Sequence, residues 1–358
     1  MSSLRAVLRD EAVYDYSLSE IEPKYLDWVR DDRYMILSKV QFKPFRIRDS
    51  RKNKFLSYKL PIKTETFAIK CSKRGNDVYR SRVYRRFVDL VDKSEKLVFF
   101  NPKDRAEKRT RALWITLTFD PKLCGFKEAW NGKKELKTIK RGKNKGKQYW
   151  GHSKDCNCIS CELNRFMSRL RKEFGKVSCC RVFESYKSGH PHIHCILLFE
   201  EKEFKVFRDK KGQFRVKEKD VIASGWHSFV DVKAMYSLGK SFAYLKKYLL
   251  KSIDAETKDS LGLKTLALCW LFCKRAFSVS GKFLQMLTDL NKTKHNSNHK
   301  TQQITLRNEI LREFTYFVLG FVPLDVLRLK NGVWFEKLSN EQFKSVNKFL
   351  KSRTCFYD

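Results

Sequence analysis

The order of apolar and polar residues predicts short strands and amphipathic helices along most of the chain. In ALWITLTFD (112–120), β-branched and aromatic residues alternate with other residues, which is typical of a strand. The segment CELNRFMSRLRKEFG (161–175) has its apolar residues at helical spacing, and Gly175 is a typical helix end. Similar patterns predict strands at ETFAIKC and HSFVDVKAM, a turn between short strands at DKKGQ, and helices at DVYRSRVYRRFVDLVDKSEK and GKSFAYLKKYLLK.

These elements group into three blocks. Residues 1–104 are predicted to form a basic N-terminal region of mixed structure. Residues 105–256 form a central domain with a basic, Cys-rich insertion at 131–161. The block 257–358 has a mostly helical pattern, in LKTLALCWLFCKRAF, KFLQMLTDL, LRNEILREFTYFVLGF and NEQFKSVNKFLK, and its polar segment 291–303 predicts a linker.

Charge adds the strongest indication of a partner. The chain has 76 Lys and Arg against 40 acidic residues, a formal net charge of +36. A small domain needs a net charge of only ~2–8 for solubility, so this excess indicates nucleic acid first and an anionic membrane second. The longest uncharged apolar run, TLALCWLFC, is too short to cross a bilayer, and the first residues do not resemble a secretory signal. Eleven mostly scattered cysteines favour a reducing cytoplasm.

Three of the seven histidines fall within GHPHIHCILLF, at the start of a predicted buried strand. Alternate residues of a strand share a face, so His190, His192 and His194 should point the same way. The preceding strand VSCCRVFESY and the turn KSGHP predict a hairpin in which Glu184 faces His192 and Val182 faces His194. A carboxylate beside two imidazoles is a set that binds a divalent metal with open positions. The alternative interpretation is an inert pair of strand histidines.

The segment YLKKYLLK (244–251) predicts a helix with two tyrosines on one face. Tyr244, Lys247, Tyr248 and Lys251 share that face at 3.6 residues per turn, and apolar residues occupy the other. A phenol of pKa ~10 becomes a nucleophile when a cation or base helps to remove its proton. Tyrosines half-buried beside solvent-directed lysines are the structural alternative.

Together these segments resemble the HUH endonucleases, and more closely the rolling-circle replication initiators (Rep proteins) of plasmids and single-stranded DNA viruses. WITLTFD is similar to their first motif, ESYKSGHPHIHCILLF to the histidine motif, and YLKKYLLK to the tyrosine motif in its two-tyrosine form. The resemblance covers roughly residues 110–255. It implies an α+β fold with a central antiparallel, RRM-like sheet of four or five strands and flanking helices. The histidine motif would lie on a central strand.

The resemblance also implies the chemistry of the site. His192 and His194 would bind Mg²⁺ or Mn²⁺, with Glu184 as third ligand and His190 as a competitor for that position. Tyr248 or Tyr244 would attack single-stranded origin DNA, giving a 5′-phosphotyrosine intermediate and a free 3′-hydroxyl. Lys247 looks like the motif lysine, and Lys251 is a second candidate because YxxK occurs twice.

Two features depart from the simplest Rep pattern. The chain lacks a P-loop motif, because GKNKGK has the wrong spacing, so unwinding and synthesis should need a host helicase and polymerase. The segment HSKDCNCISC holds four nitrogen and sulfur ligands that suit a structural Zn²⁺ site, with a set of reduced cysteines as the alternative. These ligands are His152, Cys156, Cys158 and Cys161.

The basic insertion leaves two interpretations open, a solvated loop and a contact with the DNA backbone. The candidate DNA-binding residues are Lys140, Arg141, Lys143, Lys145 and Lys147. At the level of function, the leading hypothesis is a replication initiator that nicks and rejoins DNA. A two-tyrosine HUH transposase is the enzymatic alternative, and a non-catalytic, zinc-containing DNA-binding regulator is the alternative from another class.

Overall fold

A computed structural model describes residues 16–49, 54–256, 259–287, 313–327, 329 and 333–354. The chain divides into two compact units. The first draws on residues 1–27 and 74–290, and the second on residues 28–73 and 291–358. The predicted linker at 291–303 lies outside the described residues. None of the helices in the described ranges combines the length and the apolar character that a membrane crossing requires.

The helices, in chain order, are α1 (Leu18–Arg30), α2 (Asp77–Ser94), α3 (Phe126–Asn131), α4 (Ile159–Phe174), α5 (Lys219–Ala223), α6 (Leu238–Lys251), α7 (Ser260–Leu271), α8 (Leu324–Leu327) and α9 (Asn340–Thr354).

The strands are β1 (Arg33–Asp49), β2 (Lys54–Lys70), β3 (Lys108–Thr110), β4 (Ala112–Thr118), β5 (Lys134–Thr138), β6 (Gln148–His152), β7 (Val177–Ser185), β8 (Pro191–Phe199), β9 (Phe204–Arg208), β10 (Phe214–Val216), β11 (Val230–Ala234), β12 (Phe277–Val279), β13 (Glu313–Pro323) and β14 (Phe335–Lys337).

The first unit is built on a five-stranded antiparallel sheet. Its strand order is β11-β4-β8-β7-β12, so the histidine strand β8 lies in the centre. Helix α6 packs its apolar face, with Phe242, Leu245 and Leu249 fully buried, into the same core as Trp114 and Ile196 of the sheet. The predicted α+β class with an antiparallel sheet is confirmed.

The hairpin β7–β8 has the register that the sequence predicts. Glu184 pairs with His192, and Val182 pairs with His194. The turn is closed by Tyr186, whose backbone N–H donates to the His190 carbonyl at 2.9 Å and whose carbonyl accepts from Gly189 N at 2.9 Å. Gly189 adopts a φ of +81°, which favours glycine because a Cβ is strained there. This turn fixes which side chains face each other across the hairpin.

The insertion forms a second hairpin where the sequence suggests a loop. Strands β5 and β6 pair from Lys134 opposite His152 to Thr138 opposite Gln148. Backbone contacts between Ile139 and Lys147, and between Ile139 and Gly146, continue the hairpin beyond the strands. We call residues 133–152 the basic hairpin.

The second unit contains a four-stranded sheet of order β13-β1-β2-β14. The helical prediction for LRNEILREFTYFVLGF is wrong over β13, which pairs antiparallel with β1 from Pro323 to Glu313. The β-branched and aromatic run 314–318 suits a strand, and pairing with a distant strand overrides the local helical spacing. Helices α8 and α9 contribute Leu327 and Val346 to the core of this unit.

Candidate metal and tyrosine site

The hairpin β7–β8 brings together a carboxylate and two imidazoles. One ligand atom from each of Glu184, His192 and His194 lies within 4.8 Å of the others. Nε2 of His194 is 2.9 Å from Oε2 of Glu184. His194 is buried, whereas the other two side chains are partly exposed, so the set is open on one side.

Neighbouring hydroxyl groups orient both histidine rings. Nδ1 of His192 is 2.6 Å from the Tyr186 hydroxyl, and Nδ1 of His194 is 3.3 Å from Oγ1 of Thr116. Burial, together with the nearby His194, lowers the pKa of His192 to about 3. The ring is therefore neutral near pH 7, as a metal ligand must be. Hydrogen bonds to the second nitrogen of ligating histidines are common because they fix the ring orientation.

His190 is held away from this set. Its Nδ1 is 3.1 Å from the Ser188 hydroxyl, and its Nε2 is 3.1 Å from the Cys124 carbonyl. Both ring nitrogens are thus engaged outside the cluster. The geometry therefore favours Glu184 over His190 as the third ligand, and two imidazoles with one carboxylate fit a divalent cation.

Helix α6 places its two tyrosines beside the histidines. The hydroxyls of Tyr244 and Tyr248 share a hydrogen bond of 2.9 Å. The Tyr248 ring centroid is 3.9 Å from that of His194. Trp114 of β4 contacts both phenol rings, with centroids 4.7 Å from Tyr244 and 5.7 Å from Tyr248. The sequence prediction that the two tyrosines share a face of this helix agrees with this arrangement.

The two phenols differ in environment. Tyr244 is 44% exposed, whereas Tyr248 is half-buried against the histidine cluster. Burial raises the pKa of Tyr248 above its usual value, and the hydrogen bond with Tyr244 and the charge of Glu184 add to this shift. Tyr248 therefore keeps its proton until a positive charge approaches its oxygen.

The two candidate lysines also differ. Lys247 is exposed. Lys251 Nζ lies 2.7 Å from Oδ2 of Asp259, and this contact raises the pKa of Lys251 and lowers that of Asp259. Asp259 also caps α7 through the backbone N–H groups of Leu261 and Gly262. Lys251 therefore links the end of α6 to the start of α7.

Four residues near the site carry roles that the sequence did not indicate. Tyr186 follows Glu184 by two positions on the same strand, so its shared face was a usable signal. Thr116 and Trp114 also alternate along β4, whose pairing partner could not be known from pattern alone. Asp259 gave no signal, because its contact with Lys251 depends on the turn between two helices.

A second cluster lies at the base of the basic hairpin. The ligand atoms of all four predicted residues lie within 4.8 Å of one another, and Nδ1 of His152 is 3.4 Å from Sγ of Cys156 and 3.8 Å from Sγ of Cys158. One imidazole and three thiols in a compact group are compatible with tetrahedral zinc. The cluster comprises His152, Cys156, Cys158 and Cys161.

Gly132 allows this cluster to close. Its φ is +70°, and a Cβ built there would lie 2.2 Å from Cys156 Sγ and 2.9 Å from Cys158 Cβ. Any larger residue would push into the thiols. The glycine immediately before the basic hairpin is thus part of the packing around the candidate zinc ligands.

Loss of one thiol should remove the metal. Cys158→Ser should reduce bound zinc from one equivalent to a small fraction, since structural sites need four ligands. Because metal binding and folding are coupled, trypsin should then cut the basic hairpin faster than in the unaltered protein. Elemental analysis and limited proteolysis measure both effects.

Cys273→Ser serves as the control, because that thiol is exposed and lies outside the cluster. Equal zinc content and equal cleavage rates in the two variants would contradict the zinc assignment.

The candidate DNA-binding residues all lie at the tip of the basic hairpin. Every one of them is exposed. They occupy the segment between β5 and the end of the turn before β6, and comprise Lys140, Arg141, Lys143, Lys145 and Lys147.

Comparison with known families decides the broad type. Residues 112–253 match the family model of the replication-associated protein ORF2. This region is Rep-like. The match spans β4 to β11 and helices α3 to α6, and so contains both candidate metal clusters and both tyrosines.

The match supports a Rep-like replication initiator, and the predicted resemblance is confirmed at that level. A replication family implies DNA binding, in agreement with the net charge of +36. Searches of curated proteins and of solved structures found no significant match.

Proposed function

We propose that the chain is a metal-dependent endonuclease and strand transferase of the two-tyrosine HUH type, which initiates rolling-circle replication of a plasmid or virus. The supporting observation is the position of Tyr248, whose ring lies 3.9 Å from that of His194 in the Glu-His-His cluster. A nucleophile and a candidate metal set thus share one surface.

In this proposal the chain's own residues hold the metal and deliver the nucleophile. Glu184, His192 and His194 would hold Mg²⁺ or Mn²⁺. The bound cation would supply positive charge that polarises a phosphoryl oxygen. Tyr186 and Thr116 keep the two imidazoles oriented through their Nδ1 atoms. The half-buried Tyr248 waits protonated on the face that the DNA phosphate would approach.

Cleavage is a transesterification. The Tyr248 oxygen forms a bond to phosphorus, and the bond from phosphorus to the 3′-oxygen of the preceding nucleotide breaks. The phenol loses its proton, and the departing oxygen takes one up to become a free 3′-hydroxyl. The DNA 5′-phosphate stays on the tyrosine, so the phosphodiester can be re-formed by a later hydroxyl without an energy source.

The second tyrosine allows a second transfer. The Tyr244 hydroxyl lies 2.9 Å from that of Tyr248, so both phenols can reach one phosphate position in turn. Lys247 and Lys251 are the cations of this helix that would assist the phenols or hold the phosphate. The proposed partners in the host cytoplasm are a helicase and a polymerase.

A two-tyrosine transposase would use the same residues. The match to a replication family favours the initiator. The genes beside this one distinguish the two, because a small replicon carries an origin whereas a transposon carries element ends.

End-labelled DNA tests the proposed function. Single-stranded oligonucleotides tiled across the DNA molecule that encodes the chain are incubated with the protein and Mn²⁺. At the nick site, 3′-labelled DNA should become covalently attached to protein, and 5′-labelled DNA should be released as a shorter strand. Tight binding of the tiles without any adduct would instead support a non-catalytic DNA-binding regulator.

The salt dependence of DNA binding tests the basic hairpin. Each phosphate contact on single strands contributes ~0.7 to the slope of log affinity against log salt. Replacing the five tip residues with glutamine should therefore reduce this slope by up to about 3.5. The substituted residues are Lys140, Arg141, Lys143, Lys145 and Lys147.

The control removes the same number of exposed lysines from another part of the first unit, at Lys205, Lys210, Lys211, Lys217 and Lys219. An equal reduction in both variants would show an effect of net charge alone, and an unchanged slope would leave the hairpin tip as a solvated loop.

A further inference from the structure

The basic hairpin exposes two aromatic rings among its lysines. Tyr149 is 48% exposed and Trp150 is 64% exposed. Across the hairpin, Tyr149 pairs with Lys137 and Trp150 pairs with Leu136, which is itself 50% exposed. Successive residues of a strand point to opposite faces. Each face of the basic hairpin therefore carries one exposed ring.

The Tyr149 side also has a groove. The groove has a volume of about 640 Å³ and is lined by Glu135, Lys137, Thr138, Ile139, Lys140 and Tyr149. Lys137 forms an ion pair of 3.1 Å with Glu135, whereas Lys140 is exposed at the tip side. An aromatic ring beside ammonium groups matches a nucleotide, which combines a flat base with an anionic phosphate.

The candidate zinc cluster fixes the base of this structure. His152 is the last residue of β6, and Gly132 lies two residues before β5. Ser153 N–H donates to the Lys133 carbonyl at 2.9 Å, which joins the two ends. Cys158 is the N-cap residue of α4, so a metal on the cluster would connect the basic hairpin to a helix of the first unit.

We infer that the basic hairpin is a base-stacking arm for unpaired DNA. Trp150 and Tyr149 each contact the face of a nucleobase, and cations such as Lys140 hold the adjoining phosphates. Single strands are the favoured ligand, because bases within a duplex are already stacked on one another and aromatic side chains bind unpaired bases of any sequence. The inference rests on the proposed function only in taking single-stranded DNA as the ligand, and it does not require the tyrosine chemistry.

Binding to DNA with and without bases tests this arm. The full chain carries Tyr244→Phe and Tyr248→Phe, so that binding is measured without cleavage. The probes are a fluorescent thymidine oligonucleotide and an abasic oligonucleotide of equal length and charge. Trp150→Leu, which keeps apolar bulk but loses the aromatic ring, should weaken thymidine binding by about 5- to 150-fold and leave abasic binding unchanged.

Three further variants control this result. Trp150→Phe should retain most of the affinity, because it keeps an aromatic face. Tyr149→Leu should behave like Trp150→Leu. Phe207→Leu removes an exposed ring of β9, which is 44% exposed, and should change neither affinity. Zinc content is measured for each variant, so that loss of the hairpin's structure is detected directly.

An equal loss on both probes, or no loss with zinc retained, overturns the arm. If Trp150→Leu loses zinc, the Trp150→Phe and Tyr149→Leu proteins decide by the same criterion. The proposed nuclease function fails separately: base-dependent binding without any covalent adduct keeps the arm and removes the nuclease, and an adduct without base-dependent binding does the reverse.

Discussion

Replacing His192 or His194 with alanine should abolish cleavage of single-stranded DNA while DNA binding stays close to normal. Each substitution removes one imidazole from a three-residue ligand set whose atoms lie within 4.8 Å. Loss of a residue that merely supports a metal ligand costs ~10–100-fold, so loss of a ligand should exceed about 100-fold. Cleavage assays with Mn²⁺ and Mg²⁺, beside anisotropy measurements of binding, check both parts. Activity should be at least as high with Mn²⁺, since imidazole ligands favour it.

His190→Gln provides the matched control on the same strand face. The His190 ring contacts Ser188 and the Cys124 carbonyl rather than the cluster, so this variant should still cleave. Its melting temperature should be recorded, because the ring is buried. Full nicking by the His192→Ala/His194→Ala double variant in EDTA would contradict the metal assignment.

Replacing the two tyrosines singly should give unequal defects. Tyr248→Phe should lose the covalent adduct completely, because the phenol nearest the histidine cluster supplies the bond to phosphorus. Tyr244→Phe should still nick but fail to complete strand transfer, because its phenol is required for the second step. Gel analysis separates the adduct, the nicked strand and the rejoined product.

Tyr84→Phe is the control for the loss of a phenol near α6. The Tyr84 hydroxyl accepts a hydrogen bond from Lys246 at 3.1 Å, and it belongs to neither proposed step. This variant should nick and rejoin normally. An identical loss of adduct in Tyr84→Phe and Tyr248→Phe would mean that disturbance of the helix, not loss of the nucleophile, explains the effect.

The parts of the site that follow from local chemistry could be predicted from the sequence. A glycine-containing turn sets the register of β7–β8, so the pairing of Glu184 with His192 follows from counting residues. The 3.6-residue period of α6 likewise places Tyr244 and Tyr248 on one face and Leu245 in the core. The ligand spacing 152–161 is also local, and the structure gathers these four side chains.

Features that depend on distant pairing could not be predicted. Strand β13 pairs with β1 across nearly the whole chain, and the helical spacing of its residues misled the local interpretation. The basic hairpin is a strand pair although its composition suggests a solvated loop. The contact between Lys251 and Asp259 depends on how two helices meet. Tertiary pairing, rather than residue type, decides each of these.

Mass spectrometry of the trapped adduct tests the central claim most directly. The protein is reacted with 3′-labelled single-stranded DNA and Mn²⁺, then digested with protease and nuclease, and the modified peptide is sequenced. We expect the residual nucleotide on Tyr248 in the unaltered protein. A nucleotide on Tyr244 alone would reverse the order of the two transfers. A trapped peptide modified at neither tyrosine would contradict the account, because the α6 face would then have no part in the covalent step.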